Sequence, residues 1–118
     1  MALGGPFDFG ECWYGLPELT REAFRVRSHC VTQEDARLNA TRLSLNGLAQ
    51  RITCPLYVMN GKLDRVVPWE HAESLAREAK GLVEFLLIED GNHIANNRSA
   101  RWRPHSADWM AEQLRAVH

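Results

Sequence analysis

The chain has 118 residues, of which 45% are hydrophobic and 25% are charged, and its formal net charge at pH 7 is −1. These values are those of an ordinary globular domain, so they argue against a disordered or fibrous chain and against a second independent core. Because Lys and Arg are scattered among Asp and Glu, the sequence predicts no surface for nucleic acid or for an anionic membrane.

The N-terminal residues and the cysteines both bear on the compartment. The first ten residues, MALGGPFDFG, have neither the basic nor the apolar region of a signal peptide. No apolar run approaches the roughly 20 residues that span a bilayer. The cysteines Cys12, Cys30 and Cys54 are odd in number and widely spaced, which favours reduced thiols over a disulfide framework. The sequence therefore predicts a cytoplasmic protein without a membrane segment.

Two helices and a helical turn are predicted in the first half of the chain. Residues 16–29 carry a proline and a glutamate early and basic residues late, which complements the helix dipole. Thr32 followed by Asp35 resembles a capping box, and the pattern predicts a second helix up to about Leu43. Residues 45–52, interrupted by a glycine and followed by a proline, predict a short turn of helix that leads into a strand.

A strand–helix–strand unit and a closing helix are predicted in the second half. Residues 55–61 and 83–89 are short apolar runs, typical of strands in a parallel sheet that are buried on both faces. Residues 68–80 have helical apolar spacing and are followed by a glycine. Together they form one right-handed βαβ unit. Residues 107–117 predict an amphipathic helix that packs on the sheet.

Two loops follow the carboxyl ends of these predicted strands, and each contains a residue suited to catalysis. Asp64 lies in the first loop and His93 ends the second. Functional groups of open parallel sheets gather at this edge, so we expect the two side chains to approach each other. A carboxylate beside an imidazole fixes its tautomer and stabilises the imidazolium, while the other ring nitrogen takes a proton from a nucleophile. The pair predicts two members of a catalytic triad.

The same motifs carry a family resemblance. The stretch ITCPLYVMNGKLDRVVP, followed by a helix, a strand and EDGNH, resembles the last two strands of the α/β-hydrolase superfamily, from about residue 51 to the end. ALGGPFDFG with W-x-x-L-P-x-L-T-x-E-A-F, and NNRSARWRPHSADWMAEQL after His93, resemble one subgroup. That subgroup contains the pseudooxynicotine hydrolases and the esterases similar to the fermentation–respiration switch protein.

The resemblance implies an α/β fold class and a partial α/β-hydrolase fold, in which the last strands of a parallel sheet and their flanking helices carry a helical cap segment. Residues 1–118 are expected to form a single unit, with a cap-like segment at 6–51 and the C-terminal βαβα part at 52–118. Residues 2–5 would end the strand that precedes the cap. Asp64 and His93 would be the acid and the histidine of a serine hydrolase. The substrate would be a small ester-like or β-diketone-like molecule, with no cofactor or metal.

The nucleophile of that family is expected on a G-x-S-x-G elbow far upstream of the acid. The chain has five serines, and none of them lies between the two glycines of a G-x-S-x-G motif: Ser28, Ser44, Ser74, Ser99 and Ser106. The chain is therefore interpreted as the C-terminal part of a serine hydrolase of the esterase or C–C bond hydrolase class, inactive alone. The alternative is a truncated hydrolase remnant that acts as a non-catalytic oligomeric binding or scaffold protein.

Other readings of the titratable residues stay open in the sequence. Asp64 could cap the following turn or pair with Arg65, and His93 could be a solvent-facing loop histidine. A cysteine near a histidine could supply a thiolate, although most cysteines are small buried hydrophobes. The histidines and cysteines have no metal-ligand spacing, which argues against a zinc site; the histidines are His29, His71, His93, His105 and His118.

The sequence also predicts two features of the surface, a basic run and an uncovered apolar area. The basic run after His93 could bind an anionic group, pair with nearby carboxylates or form a solvated face; its members are Arg98, Arg101 and Arg103. Two buried-type strands with their helices leave a strand edge and apolar surface uncovered. The chain is therefore expected to associate with itself, as a homodimer or higher oligomer, through the exposed sheet edge or face.

Overall fold

A computed structural model describes residues 1–117 and contains a three-stranded parallel sheet. The strands are β1 (Ala2–Leu3), β2 (Leu56–Gly61) and β3 (Val83–Ile88), in the order β1–β2–β3. In the register of the sheet, Val58 of β2 lies opposite Ala2 on one side and Phe85 on the other. β2 is buried along its whole length, as its continuous apolar run predicts. The predicted parallel α/β arrangement is confirmed.

The chain has four helices, α1 (Glu18–Arg27), α2 (Gln33–Ala40), α3 (Trp69–Glu78) and α4 (Ser99–Val117), of which α3 and α4 pack on the sheet. Short 3₁₀ turns lie at Trp13–Gly15, Ala49–Arg51 and His93–Arg98. The predicted capping box of α2 is present, because Thr32 Oγ1 accepts the Asp35 amide at 3.0 Å and the Asp35 carboxylate accepts the Thr32 amide at 3.2 Å. Within residues 1–117 no helix is both long and apolar enough to cross a membrane.

The two faces of β2 are covered by different helices. Leu56 and Val58 pack with α3, and the alternate side chains Tyr57 and Met59 pack with α4. This follows from the alternation of side chains along a strand. The result is a three-layer arrangement in which the sheet lies at the centre, α3 covers one face and α4 covers the other.

The closing helix differs from its prediction in where it begins. It starts at Ser99, eight residues before the predicted start, and it includes Pro104. A proline inside a helix removes one backbone hydrogen bond, which made the earlier start unattractive from sequence alone. Trp102 and Trp109, two turns apart, are both buried against the sheet. Packing of the first indole extends the helix past the proline.

A separate hydrophobic cluster joins the first half of the chain to the loop after β2. Its buried members are Cys12, Trp13, Leu16, Ala36, Ala40 and Val67. The ring of Phe24 from α1 packs beside Phe9 and Trp13, with ring centroids at 5.2 and 5.8 Å. Because Val67 lies three residues after Asp64, this cluster anchors residues 12–40 directly onto the loop that carries the predicted acid.

Candidate functional site

Two glycines bring the loops after β2 and β3 into direct backbone contact. A Cβ atom at Gly61 would collide with the carbonyl oxygens of Gly91 and Asn92. The Leu63 amide donates to the Gly91 carbonyl at 2.9 Å, and the Lys62 amide donates to the carbonyl of Ile88 at 2.9 Å. Only a residue without a side chain permits this approach. The two loops are therefore locked to each other by backbone hydrogen bonds.

The carboxylate of Asp64 is fully buried and accepts three hydrogen bonds. Its Oδ1 accepts the amides of Val66 and Val67 at 2.8 and 2.9 Å. Its Oδ2 lies 2.8 Å from Nδ1 of His93. Asp64 thus does cap the turn that follows it, as the simpler reading suggested, and in addition it binds the imidazole. The two amides fix the carboxylate, which leaves Oδ2 aimed at the ring.

The hydrogen bond to Asp64 assigns the tautomer of His93. Because a carboxylate only accepts, the neutral imidazole carries its proton on Nδ1 and its lone pair on Nε2. Among the hydrogen bonds of residues 1–117, the His93 side chain makes only the one to Asp64. The His93 side chain is 39% exposed. This imidazole is oriented by an acid at one nitrogen and accessible at the other.

The backbone after His93 adopts a sparsely populated conformation. Ile94 and Ala95 have φ values of 57° and 46°, in the left-handed region. Such residues cost about 1–3 kcal/mol each and persist where their surroundings fix them. Here the Ala95 amide donates to the Asn92 carbonyl at 2.7 Å, and the indole nitrogen of Trp102 donates to the Ala95 carbonyl at 3.2 Å. The strained turn holds His93 at the end of its loop.

A pocket of about 430 Å³ lies beside His93, between the loops and the cap-like segment. Its walls are largely apolar, and they include Pro6, Phe9, Leu16, Pro17, Val66 and Val67. This volume lies within the usual range of small-molecule sites. The pocket can hold a small molecule with an uncharged, largely apolar surface next to the imidazole.

A cysteine–histidine contact that the sequence did not predict lies between the start of the chain and α3. Cys12 Sγ lies 3.6 Å from Nε2 of His71 on α3. His71 Nδ1 accepts the amides of Phe7 and Asp8 at 3.0 and 3.2 Å, so the ring proton lies on Nε2 and no lone pair faces the sulfur. Burial, helped by Glu11 and other nearby carboxylates, raises the pKa of Cys12 to about 11. Cys12 is therefore a protonated, buried thiol, and His71 holds the backbone at Phe7 and Asp8 in place.

The remaining candidates have structural partners. Arg98 and Arg101 pair with Asp90 at 2.6 and 3.6 Å, and the guanidinium of Arg103 lies 5.4 Å above the ring of Trp102. The basic run thus interacts with a carboxylate and an indole. No group of three or more His, Cys, Asp or Glu that could hold a metal occurs in residues 1–117. No serine hydroxyl in that range forms a hydrogen bond with His93.

Three parallel strands with helices on both faces give this chain the fold of the C-terminal portion of an α/β-hydrolase. The crystal structure of a 2,6-dihydroxy-pseudo-oxynicotine hydrolase is similar over 98% of this chain, with a TM-score of 0.84 and 28% sequence identity. The family resemblance inferred from the sequence is thereby confirmed.

This chain spans about a third of its structural neighbour, 33% of that hydrolase. In sequence, 49 residues are 43% identical to the uncharacterised protein YfhR of Escherichia coli strain K12 and equally to that of Escherichia coli O157:H7. The matched segment is 42% of this chain and 17% of each relative. No protein-family model matches the chain.

Proposed function

We propose that this chain supplies the acid and the histidine of a serine-hydrolase active site, with Asp64 and His93 in these roles. The nucleophile would come from polypeptide outside these 118 residues, in the same molecule or in a partner. The observation that carries the proposal is the 2.8 Å hydrogen bond from His93 Nδ1 to a buried carboxylate that two backbone amides hold in place.

This geometry suits general-base catalysis. With its proton fixed on Nδ1, His93 offers Nε2 to take the proton of an attacking hydroxyl and later to return it to the leaving group. The charge of Asp64 stabilises the imidazolium formed between these two steps. No cofactor or metal is needed for this chemistry.

The pocket beside His93 favours a small neutral substrate. Its apolar walls provide no cation for an acidic group, since Pro6, Phe9 and Val66 dominate the lining next to the imidazole. An ester or a β-diketone-like carbon–carbon bond fits this environment and the acyl-transfer role of the pair. The name of the structural neighbour, a pseudo-oxynicotine hydrolase, supports hydrolysis as the reaction type.

Reconstitution tests the proposal. The chain is combined with an N-terminal hydrolase segment that carries a G-x-S-x-G serine, and hydrolysis of p-nitrophenyl acetate is measured. Turnover above the level of either part alone is expected, and His93→Ala should abolish it. Asp64→Asn should lower it by roughly 10⁴-fold, because the imidazole loses the acceptor that fixes its tautomer. His29→Asn, at an exposed residue with φ of 57°, is the matched control and should keep full activity.

Two outcomes of these activity assays would contradict the proposal. If the reconstituted activity survives His93→Ala, the imidazole is not the base and the assignment is wrong. Activity of the isolated chain that depends on His93 would contradict the part of the proposal that places the nucleophile elsewhere.

The second candidate function is a non-catalytic oligomeric binding or scaffold protein. Its support is exposed apolar surface, including Leu19, Val26 and Val31, which are 80%, 56% and 84% exposed. In addition, β1 and β3 each pair only with β2 within residues 1–117, so their outer edges are open. This candidate predicts a homodimer or higher oligomer. A monomer at micromolar concentration by light scattering would count against it.

A further inference from the structure

A second pocket, of about 440 Å³, lies at the two helices of the cap-like segment and shares no residue with the pocket beside His93. Its lining comes from the end of α1, the end of α2 and the residues directly after each helix: Phe24, Arg27, Ser28, Asn39, Arg42 and Leu43. Nothing in the proposed hydrolase chemistry uses these side chains.

The two arginines of this pocket, Arg27 and Arg42, have no ionic partner within residues 1–117, and Arg21 of α1 has none either. Arg25 and Arg37 each pair at 2.6 Å with a glutamate three residues earlier. Among the ion pairs of residues 1–117, Arg27 and Arg42 occur in none. Two guanidinium groups that pair with no carboxylate of residues 1–117 therefore line one concave surface.

The acidic residues nearest in sequence cannot supply that counter-charge. The carboxylate of Glu22 binds both Arg25 and Gln33, that of Glu34 binds Arg37, and that of Asp35 caps its own helix. Since each of these carboxylates is already committed locally, the positive potential at the two free guanidinium groups is left for a ligand.

The rest of the pocket is suited to an apolar group. The ring of Phe24 is fixed by its contact with Phe9, and Leu43 forms the opposing part of the lining. The hydroxyl of Ser28 already donates to the Phe24 carbonyl at 2.7 Å, so it adds no free donor. Asn39 adds an amide to the lining. The polar side chains that remain are two guanidinium donors and the carboxamide of Asn39, which both donates and accepts, beside the ring of Phe24.

We infer that this cap pocket binds a small carboxylate carried on an apolar or aromatic body, with Arg27 and Arg42 on the carboxylate and Phe24 and Leu43 against the body. The planar guanidinium matches a carboxylate through two parallel hydrogen bonds. The volume lies within the usual range of small-ligand sites. Binding here does not involve Asp64 or His93, so this inference and the proposed catalysis are tested independently of each other.

Calorimetric titration of the full chain tests the inference with three probes: phenylacetate, its neutral analogue phenylacetamide, and inorganic phosphate. Phenylacetate is expected to bind saturably and with 1:1 stoichiometry. Arg27→Gln and Arg42→Gln should each weaken binding about tenfold, the effect of losing one charge-assisted hydrogen-bonded contact. Arg77→Gln removes an exposed cation from α3 and should leave the affinity unchanged, as should His93→Ala.

Several results would overturn the inference. Equal binding of phenylacetamide would show that the charge is not recognised, and equal binding of phosphate would show that the apolar wall contributes nothing. Wild-type affinity in both arginine variants, or no phenylacetate binding up to millimolar concentration, would do the same. Because both arginines are exposed, the variants should keep the wild-type circular dichroism spectrum, which excludes unfolding as the cause of any loss.

Discussion

Replacing Asp64 separates its two structural contributions. Its carboxylate satisfies the backbone amides of Val66 and Val67 through Oδ1 and binds His93 through Oδ2. Asp64→Ala removes both. Asp64→Asn retains an oxygen for the two amides and loses only the charge and the acceptor that faces the imidazole.

The magnitudes follow from the number of orphaned groups. In Asp64→Ala two amides lose their acceptor at a buried position, and each unsatisfied group costs about 1–3 kcal/mol, giving about 2–6 kcal/mol of unfolding free energy in all. In Asp64→Asn the hydrogen bonds from the Val66 and Val67 amides go to a neutral oxygen instead of a charged one. His93 must then move its proton to Nε2, so that Nδ1 can accept a hydrogen bond from the new side-chain amide. The loss of charge assistance predicts about 1–2 kcal/mol.

Urea unfolding followed by circular dichroism measures the loss of unfolding free energy in both variants. His93→Ala is the control variant, because it keeps the Asp64 carboxylate and its two hydrogen bonds from backbone amides. The expected order of destabilisation is Asp64→Ala, then Asp64→Asn. Equal stabilities of the two variants would refute the role of the Val66 and Val67 amides. Wild-type stability in Asp64→Ala would refute the burial of the carboxylate itself.

Three further predictions concern the contact between the two loops and the cysteines. Gly61→Ala should destabilise the chain by about 3 kcal/mol because the new methyl group meets rigid backbone oxygens, whereas Gly5→Ala, with open space around it, should stay within about 0.5 kcal/mol in the same urea experiment. Burial and nearby carboxylates raise the pKa of Cys12 from 9.0 to about 11, so the stability from its neutral thiol is present below pH 9 and is lost as pH rises through 11. The stability difference between wild type and Cys12→Ala should therefore shrink over that range, and a constant difference would contradict the shift. At pH 8 a disulfide reagent should modify exposed Cys54 first and spare Cys12 until the chain unfolds.

The features that the sequence predicted well are local or periodic. The apolar run of β2, the capping box at Thr32 and the glycine-containing loops that carry Asp64 and His93 each leave a signal within a few residues. Because strands of a parallel sheet end at the same edge, two such loops predict one site before any contact is known. The structure brings these two side chains together at 2.8 Å.

What the sequence could not predict depends on distant contacts. His71 and Cys12 are 59 residues apart, and no spacing rule connects a histidine on α3 with the cap-entry residues that it organises. The early start of α4 depends on the packing of Trp102, which outweighs the penalty at Pro104. The cap pocket likewise exists only because the ends of α1 and α2 lie side by side.

The tautomer of His93 tests the central claim most directly. Nitrogen-15 NMR of the imidazole in the neutral state should show the proton on Nδ1 and an unprotonated Nε2, and Asp64→Asn should move that proton to Nε2. A wild-type ring that carries its proton on Nε2, or that averages freely between the two forms, would contradict an acid-oriented catalytic histidine.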